Sequence, residues 1–250
     1  MMKFEDFILV KLGGNIIGNQ NNLSSTISQL RRLVDVQGLF RKAILICGGG
    51  EYANFIRILD QEISLGDDVS HWAAIVAMDT NAKKVHRQFP EIRLISKFKQ
   101  LKNELEDNLS SENFLLFQPY NYLREKDELP HSWNVTSDSI ALYIANALKL
   151  SHCVLVKDID GILDKNYQLI KHLSIKDYKE MKDGNLLAKL DQDQTLKKKS
   201  KPIDPFSLEL IKKYSLICIL LNGTPPHTRI IEYFRSSSSE KEKRYTKITN

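Results

Sequence analysis

Two short apolar runs that stop abruptly at glycine residues constrain the fold of this chain more than any other feature. The first covers residues 7–12 and precedes a Gly-Gly pair, and the second covers residues 43–47 and precedes three consecutive glycines. A strand that is buried on both faces by helices reads as a continuous apolar run. Glycine at the carboxyl end of such a strand lets a ligand reach backbone N–H groups, which hold phosphate oxygens. Because ligands bind at that edge of an open α/β sheet, the two runs predict a site for phosphorylated molecules.

Apolar runs alternate with helical patterns along most of the chain. The predicted strands are 7–12, 43–47, 114–118, 153–157 and 216–221. The predicted helices are 24–38, 51–60, 69–87 and 137–149. This alternation implies right-handed βαβ units, and therefore an α/β fold in which a mainly parallel central sheet lies between two helical layers, a three-layer αβα sandwich.

The remaining segments are more polar. Residues 119–132, with two prolines and several charges, and the lysine-rich residues 182–202 are predicted to be loops, the second one mobile. Residues 236–250, in which four serines precede mixed charges, are predicted to be a disordered tail. Residues 90–113 give no clear pattern. We therefore predict one domain over residues 1–235.

Composition excludes several classes of protein. The 250 residues contain no apolar run long enough for a transmembrane helix, and the N-terminus has no signal-peptide pattern. We therefore expect a cytoplasmic protein with no membrane partner. The net charge of +5 favours anionic ligands such as nucleotides but does not argue for a nucleic-acid partner. The cysteines lie in separate apolar runs, so buried reduced thiols are expected.

Charged groups stand beside both glycine-rich ends. Lys11 lies just before the Gly-Gly pair, where its ammonium group can neutralise the oxygens of a transferring phosphoryl group. The three glycines precede a helix that begins near Glu51, and such a helix N-terminus binds anions. A solvated lysine and a tight turn are the alternative readings, and the neighbouring backbone donors favour the anion site.

Three carboxylates are also candidates. Asp138 falls in the first turn of the helix predicted at 137–149, where it can accept hydrogen bonds from lysines; an ordinary capping cluster is the alternative. Asp158 and Asp160 follow the strand predicted at 153–157 and can face a nucleotide, although Asp and Gly are common in turns. The chain contains neither a P-loop nor a G-x-G-x-x-G motif, and its histidines show no metal-ligand spacing, so no protein metal site is predicted.

Taken in order, these motifs resemble the amino acid kinase superfamily, which includes acetylglutamate kinase, aspartokinase, uridylate kinase and isopentenyl phosphate kinase. The succession is strand–Lys–Gly–Gly, strand–Gly–Gly–Gly, Asn-x-x-x-Asp at a helix start, and Asp-x-Asp-Gly after a strand. It runs from about residue 6 to about residue 234. The resemblance implies an amino acid kinase-like domain, use of ATP and Mg²⁺, a small-molecule acceptor and a homodimer or higher homo-oligomer.

Within the superfamily, the chain resembles a subfamily of small kinases of methanofuran biosynthesis and their methylotroph relatives. These enzymes phosphorylate an aminomethyl-furanylmethyl phosphate to the diphosphate. The likeness lies in the segments 53–57, 71–79 and 133–140, in Asp204-Pro205, and in Leu-Asn-Gly at 221–223. It implies that the acceptor is itself a phosphate monoester.

The resemblance also implies roles for individual residues. Lys11 is implied to bridge the transferring phosphoryl group, and Asp138 to orient the catalytic lysines. The residues implied to bind the nucleotide are Gly13, Gly14, Lys157, Asp158 and Asp160. Those implied to hold the acceptor are Gly48, Gly49, Gly50 and Asn134. If the acceptor carries a phosphate, charge alone favours Arg57 or His71 as its partner.

The sequence departs from the superfamily at one point. Many members carry a second catalytic lysine after a Gly-Met segment, and the corresponding stretch here, residues 183–189, has no Gly-Met. Lys157, Lys189 or one of Lys197 to Lys201 can substitute. The departure keeps a second hypothesis open, a non-catalytic protein that binds nucleotides or oxyanions on the same fold.

Overall fold

A computed structural model describes residues 6–107, 112–188, 202–235 and 238–250. Its strands are β1 (Phe7–Leu12), β2 (Lys42–Cys47), β3 (Arg93–Ile95), β4 (Phe114–Phe117), β5 (His152–Lys157), β6 (Ile162–Leu163), β7 (Leu169–Ile170), β8 (His172–Ser174), β9 (Ile217–Asn222) and β10 (Thr246–Thr249). Its helices are α1 (Gly14–Ile17), α2 (Gln20–Arg31), α3 (Gly50–Ile63), α4 (Asp67–Gln88), α5 (Phe98–Glu106), α6 (Tyr120–Lys126), α7 (Ser137–Ala147), α8 (Ile175–Asp183), α9 (Pro205–Tyr214) and α10 (Arg229–Phe234). A π-helical turn, Arg32–Val36, continues α2.

The main sheet has the strand order β3-β4-β2-β1-β5-β9-β10-β8. The strands from β3 to β9 in this order run parallel, whereas β10 is antiparallel to β9 and parallel to β8. The chain passes from β1 to β2 on one side and later returns to β5 on the other. The crevice above β1 is therefore a topological switch point, the place where open α/β sheets bind ligands.

Apolar side chains of β1 pack alternately into the two layers beside the sheet. Leu9 belongs to the cluster formed with α5, α7 and α9, whereas Ile8 and Val10 belong to the cluster formed with α2 and α10. A strand that is buried on both faces requires this continuous apolar sequence. The predicted α/β fold, a mainly parallel sheet within an αβα sandwich, is confirmed.

The five predicted strands occur within one residue of their expected bounds at each end, but some polar segments were misjudged. The predicted loop 119–132 contains the helix α6, and the unassigned region 90–113 contains β3 and α5. Residues 182 and 183 close α8 instead of opening a loop, and residues 189–201 lie outside the described part.

The C-terminal residues differ most from expectation. Residues 246–249, predicted as part of a disordered tail, form β10 and pair with both β9 and β8. The side chains of Tyr245, Thr246 and Ile248 are buried there. Within β10, the buried Thr246 and Ile248 alternate with less buried residues, which is a short strand pattern that the surrounding serines and charges obscured.

Cys47, Cys153 and Cys218 are buried free thiols, as predicted. None of the helices in the described ranges is long and apolar enough to cross a membrane.

Candidate active site

The carboxyl ends of three neighbouring strands form the centre of the site. Lys11 in β1 is paired in register with Ile46 of β2 and with Leu155 of β5. The glycines that follow β1 and β2, and Lys157 at the end of β5, therefore meet at one edge. These are the residues that the motifs singled out, and the parallel register brings them together.

Lys11, Asp138 and Lys157 form a buried group of charges, which we call the charge triad. Lys11 Nζ lies 2.8 Å from Asp138 Oδ1, and Lys157 Nζ lies 2.6 Å from Asp138 Oδ2. The three residues are only 5%, 3% and 4% exposed, in the order Lys11, Asp138, Lys157. Each carboxylate oxygen thus holds one ammonium group, and two cations share one anion.

The charge triad has one positive charge that is not neutralised within the group. Burial alone would raise the pKa of Asp138, but the two ammonium groups hold the pKa of that carboxyl below its usual range. Burial lowers the pKa of Lys157, and Asp138 opposes this shift. Asp204 also favours the charged form of Lys157 from a greater distance. With two cations around one carboxylate, the triad is suited to receive a further anion.

Asp138 is held in position by the capping of α7. The Thr136 side chain caps the helix and accepts a hydrogen bond from the Asp138 amide at 3.3 Å. Asp204 in turn accepts hydrogen bonds from the Thr136 hydroxyl at 2.6 Å and from the Ser139 amide at 3.1 Å. It also caps its own helix, α9, through the Ser207 amide at 2.7 Å. One buried carboxylate therefore fixes the starts of two helices.

The two glycine-rich turns pack directly on each other. A Cβ atom added to Gly14 would lie 2.9 Å from the Gly50 Cα, and a Cβ added to Gly13 would lie 2.9 Å from the Val156 carbonyl oxygen. Gly50 has a φ of +56°, a conformation that L side chains rarely adopt. Close approach of the backbones therefore explains these glycines at least as directly as ligand binding.

The predicted backbone donors are only partly available. The amides of Gly13 and Gly48 donate to the carbonyl oxygens of Val156 and Leu12, both at 2.8 Å. No backbone acceptor is found among the described residues for the amides that follow, those of Gly14 at the start of α1 and of Gly49 and Gly50 at the start of α3. The first amides of a helix have no partner within the helix.

Asn81 of α4 supports the triple-glycine turn. Its side-chain amide donates to the carbonyl oxygens of Gly48 at 2.9 Å and of Gly49 at 2.8 Å, and it is buried. It thereby fixes α4 against the turn after β2. The sequence analysis did not identify this residue, because an asparagine within a helix carries no signal of its own.

The predicted nucleotide carboxylates have different surroundings. Asp158 Oδ2 accepts a hydrogen bond from Asn15 Nδ2 at 2.7 Å, while its buried Oδ1 has no hydrogen-bond partner in the described residues. Asp160 is fully engaged by protein: Oδ1 accepts from Asn222 Nδ2 at 2.9 Å and Oδ2 from Arg244 Nε at 2.5 Å. Asp160 therefore anchors the C-terminal segment to the turn after β5.

The predicted acceptor residues lie along α3, α4 and the loop before α7. The Arg57 guanidinium stacks 4.5 Å above the Trp133 ring, and its buried Nε has no hydrogen-bond partner in the described residues. Burial and the neighbouring His131 lower the pKa of His71 to about 4, so His71 is neutral near pH 7 when no anion is bound beside it. Asn134 is exposed just before α7.

Lys157, a candidate for the second lysine that lies within the described residues, contacts Asp138. Lys189 and Lys197 to Lys201 lie outside the described residues.

The comparisons with known proteins agree with this architecture. The model of the amino acid kinase family matches residues 6–222. The "[5-(aminomethyl)furan-3-yl]methyl phosphate kinase" of Methanocaldococcus jannaschii is 27% identical to the chain, over 96% of each protein. An acetylglutamate kinase of Campylobacter hominis is also 27% identical, over 93% of this chain and 89% of that one.

Two solved structures share the fold. The UMP kinase from Ureaplasma parvum has a TM-score of 0.64 at 17% identity and covers 98% of this chain and 100% of its own. The uridylate kinase from Archaeoglobus fulgidus has a TM-score of 0.66 at 15% identity, over 97% and 99%.

Proposed function

This chain belongs to the amino acid kinase family and is a phosphotransferase, and on that premise we propose that it transfers the γ-phosphoryl group of ATP to a small phosphate monoester. The observation that carries the proposal is the charge triad, in which Lys11 and Lys157 share Asp138 between two glycine-rich strand ends. Phosphoryl transfer needs positioning and charge stabilisation more than covalent help. A buried excess of positive charge at a sheet edge supplies the charge stabilisation.

The proposed acceptor is an aminomethyl-furanylmethyl phosphate, which becomes the diphosphate. The support is the kinase of M. jannaschii, whose printed name gives this type of acceptor and which matches the chain over nearly the whole length of both. The acetylglutamate kinase matches less of the chain and of itself. An aminomethyl-furan phosphate is thus favoured over an amino acid derivative.

In the proposed reaction, an oxygen of the acceptor phosphate attacks the γ-phosphorus of ATP. The bond from that phosphorus to the bridging oxygen breaks, and ADP leaves with the electron pair. A phosphate monoester is largely dianionic near pH 7, so no side chain has to remove a proton. Lys11 and Lys157 stabilise the charge on the moving group, and Asp138 holds both lysines in place.

The nucleotide is proposed to lie over the β1, β5 and β9 ends, and the acceptor over the β1, β2 and β4 ends. The Gly14 and Gly50 amides then flank the transferred group from the two sides. Asn134, just before α7, and Arg57 on α3 are proposed to contact the acceptor. Lys157 is reassigned by this proposal from the nucleotide alone to the transferred phosphoryl group.

Mg²⁺ is proposed to arrive with ATP, and when bound it neutralises and aligns the phosphates. The residues present fit this role, because Asp158 directly follows β5, over whose end the nucleotide is proposed to lie, and its buried Oδ1 has no hydrogen-bond partner in the described part of the chain. No cluster of three or more metal-binding side chains occurs among the described residues. A single carboxylate together with substrate phosphates is the usual protein contribution to such a site.

We also propose that a second copy of the chain covers α3. This helix has no fully buried residue, although it is amphipathic. Phe55 and Ile63 on it are 59% and 65% exposed, and Tyr52 and Ile58 are exposed as well. Apolar side chains in such a row are typical of an interface. Buried free thiols suit a reducing compartment, so a cytoplasmic location is proposed.

The first experiment measures ADP release from Mg·ATP with a panel of acceptors: the aminomethyl-furanylmethyl phosphate, UMP, isopentenyl phosphate, acetylglutamate and aspartate. Acceptor-dependent turnover on the furan phosphate, lost in Lys11→Ala, is expected. Turnover on another acceptor alone would reject the furan phosphate and keep the kinase. ATP binding without turnover on any acceptor would favour the non-catalytic binding protein.

A further inference from the structure

Asp79 is a carboxylate that the proposed mechanism leaves without a role. It lies within α4, is partly buried, and accepts a hydrogen bond from the Tyr120 amide at 3.4 Å. Among the described residues it forms no ion pair; Lys83, one turn further along α4, acts on it only from a distance. Burial raises the pKa of this carboxyl to about 6. A desolvated carboxylate without a cation is unusual and needs a reason.

Asp79 lies on the acceptor side of the sheet edge. Its carbonyl oxygen accepts a hydrogen bond from Gln118, the residue that follows β4, at 3.1 Å. Its carboxylate accepts from the Tyr120 amide at the start of α6, shortly after β4. On a different face of α4, Asn81 holds the carbonyl groups of Gly48 and Gly49 after β2. These contacts place this part of α4 at the carboxyl ends of β2 and β4.

The buried, neutral Cys47 side chain lies close to both Lys11 of the charge triad and Asp79. Burial raises the pKa of Cys47 to about 12, Lys11 opposes this shift, and Asp79 adds to it. Cys47 is the last residue of β2, between β1 and β4. It is therefore within the range of a cation on one side and of an anion on the other.

An acidic group on this side opposes the binding of a phosphate monoester, unless the acceptor itself carries a positive charge. The ends of β1 and β4 are two strand spacings apart, about 10 Å. A small ring with one substituent on each side spans a comparable distance. Its phosphate can then contact the lysines while a cationic substituent reaches the β4 end.

We propose that Asp79 binds the ammonium group of the acceptor, so that the site selects phosphate monoesters that carry a primary amine across a small ring. The inference rests on the proposed function and deepens it. Asp79 is a specificity residue in this account. It is not a general base, because the attacking phosphate oxygen needs no deprotonation near pH 7.

The test is a two-by-two comparison of enzyme and acceptor. Wild type and Asp79→Asn are each assayed for kcat and KM with the aminomethyl-furanylmethyl phosphate and with its analogue that has a methyl group in place of the aminomethyl group. Asp67→Asn, an exposed carboxylate in the first turn of the same helix, is the matched control. Asparagine keeps the shape and the acceptor of the Tyr120 hydrogen bond, so the variant is expected to fold.

In wild type, kcat/KM is expected to favour the ammonium-bearing acceptor by roughly 30-fold to 100-fold, as for a desolvated charge pair. Asp79→Asn is expected to remove this preference by raising the KM for the ammonium-bearing acceptor, while the KM for the methyl analogue should fall or stay the same, because the opposing negative charge is gone. An equal loss on both acceptors, or a wild type without the preference, would overturn the inference and leave the kinase standing. Turnover confined to an acceptor without an amine would do the same. No turnover on any acceptor would overturn the proposed function and the inference with it.

Discussion

The Nζ of Lys157 lies 2.6 Å from the Oδ2 of Asp138, and both side chains are buried. Lys157 is the last residue of β5, so the sheet itself fixes the position of its backbone. A lysine on a loop would have to be ordered when the ligand binds. A lysine on a central strand is in position beforehand, and preorganised charge is what lowers the barrier to phosphoryl transfer.

Replacing Lys157 with alanine should therefore lower kcat by about 10² to 10³, as the loss of one preorganised charge partner does. Asp138 keeps its contact with Lys11 in this variant, so the fold should be retained, which circular dichroism can check. Steady-state ADP release gives kcat, and Lys102→Ala, on the exposed face of α5, is the control. Near-normal turnover in Lys157→Ala, with a large loss in Lys189→Ala, would show that Lys189 and not Lys157 supplies the second catalytic charge.

Replacing Asp204 with alanine should lower the free energy of unfolding by about 3 kcal/mol, because two helix caps lose their acceptor and buried donors stay unpaired. Urea denaturation measures the loss. Asp204→Asn keeps one carbonyl oxygen and should lose less. The control is Asp177→Ala, an exposed capping carboxylate on α8, for which about 1 kcal/mol is expected. Equal losses in the two alanine variants would contradict the double-cap role.

The stability of the protein should depend on pH through Asp79. Burial raises the pKa of this carboxyl from 3.8 to about 6, so the folded state binds its proton more tightly than the unfolded state. The charged carboxylate therefore destabilises the fold above pH 6, and this effect disappears as the pH falls towards 4. Asp79→Asn should be more stable than wild type at pH 8 by on the order of 2 kcal/mol.

Urea denaturation of wild type and Asp79→Asn at pH 8 and at pH 4.5 measures this difference. The difference in free energy of unfolding between Asp79→Asn and wild type should be smaller at the lower pH. A gap that is the same at both pH values would show that the amide acts through packing and not through charge.

Replacing Arg244 with alanine should raise the KM for ATP with little effect on kcat. Arg244 holds Asp160 from the C-terminal segment, and this partly exposed ion pair stabilises the turn after β5 by about 1 kcal/mol. The expected change is roughly 5-fold. Lys241→Ala, exposed in the same segment, is the control. A fall in kcat at unchanged KM would place the effect on the chemical step instead.

The sequence predicted the elements whose patterns are long and regular. The strands β1, β2 and β5 are continuous apolar runs because both of their faces are buried, and α4 repeats its apolar positions over many turns. The order of the glycine-rich turns also predicted that they lie at one edge of the sheet, and the register of β1, β2 and β5 places them there. Parallel register then made the meeting of Lys11 with the turn after β2 almost unavoidable.

Contacts between distant segments could not be read in this way. Lys157 and Asp138 lie on different elements, and only the packing of α7 on the sheet brings them within hydrogen-bond distance. Nothing in the sequence pattern indicates that Asp204 caps both α9 and α7. Asp160 was predicted to face a nucleotide, while its partner Arg244 belongs to a segment whose polar composition suggested disorder.

The position of β10 has a consequence for how the protein is made. In the described sheet, β8 joins the other strands through β10, and the buried Thr246 hydroxyl bonds to Ile162 and Ile170 at the β6–β7 hairpin. Residues 246–249 are translated after every other strand. While they are still inside the ribosome, the parallel strands can already assemble, but β8 has no neighbour to pair with. The sheet of the described residues is therefore completed only when β10 pairs with both β8 and β9.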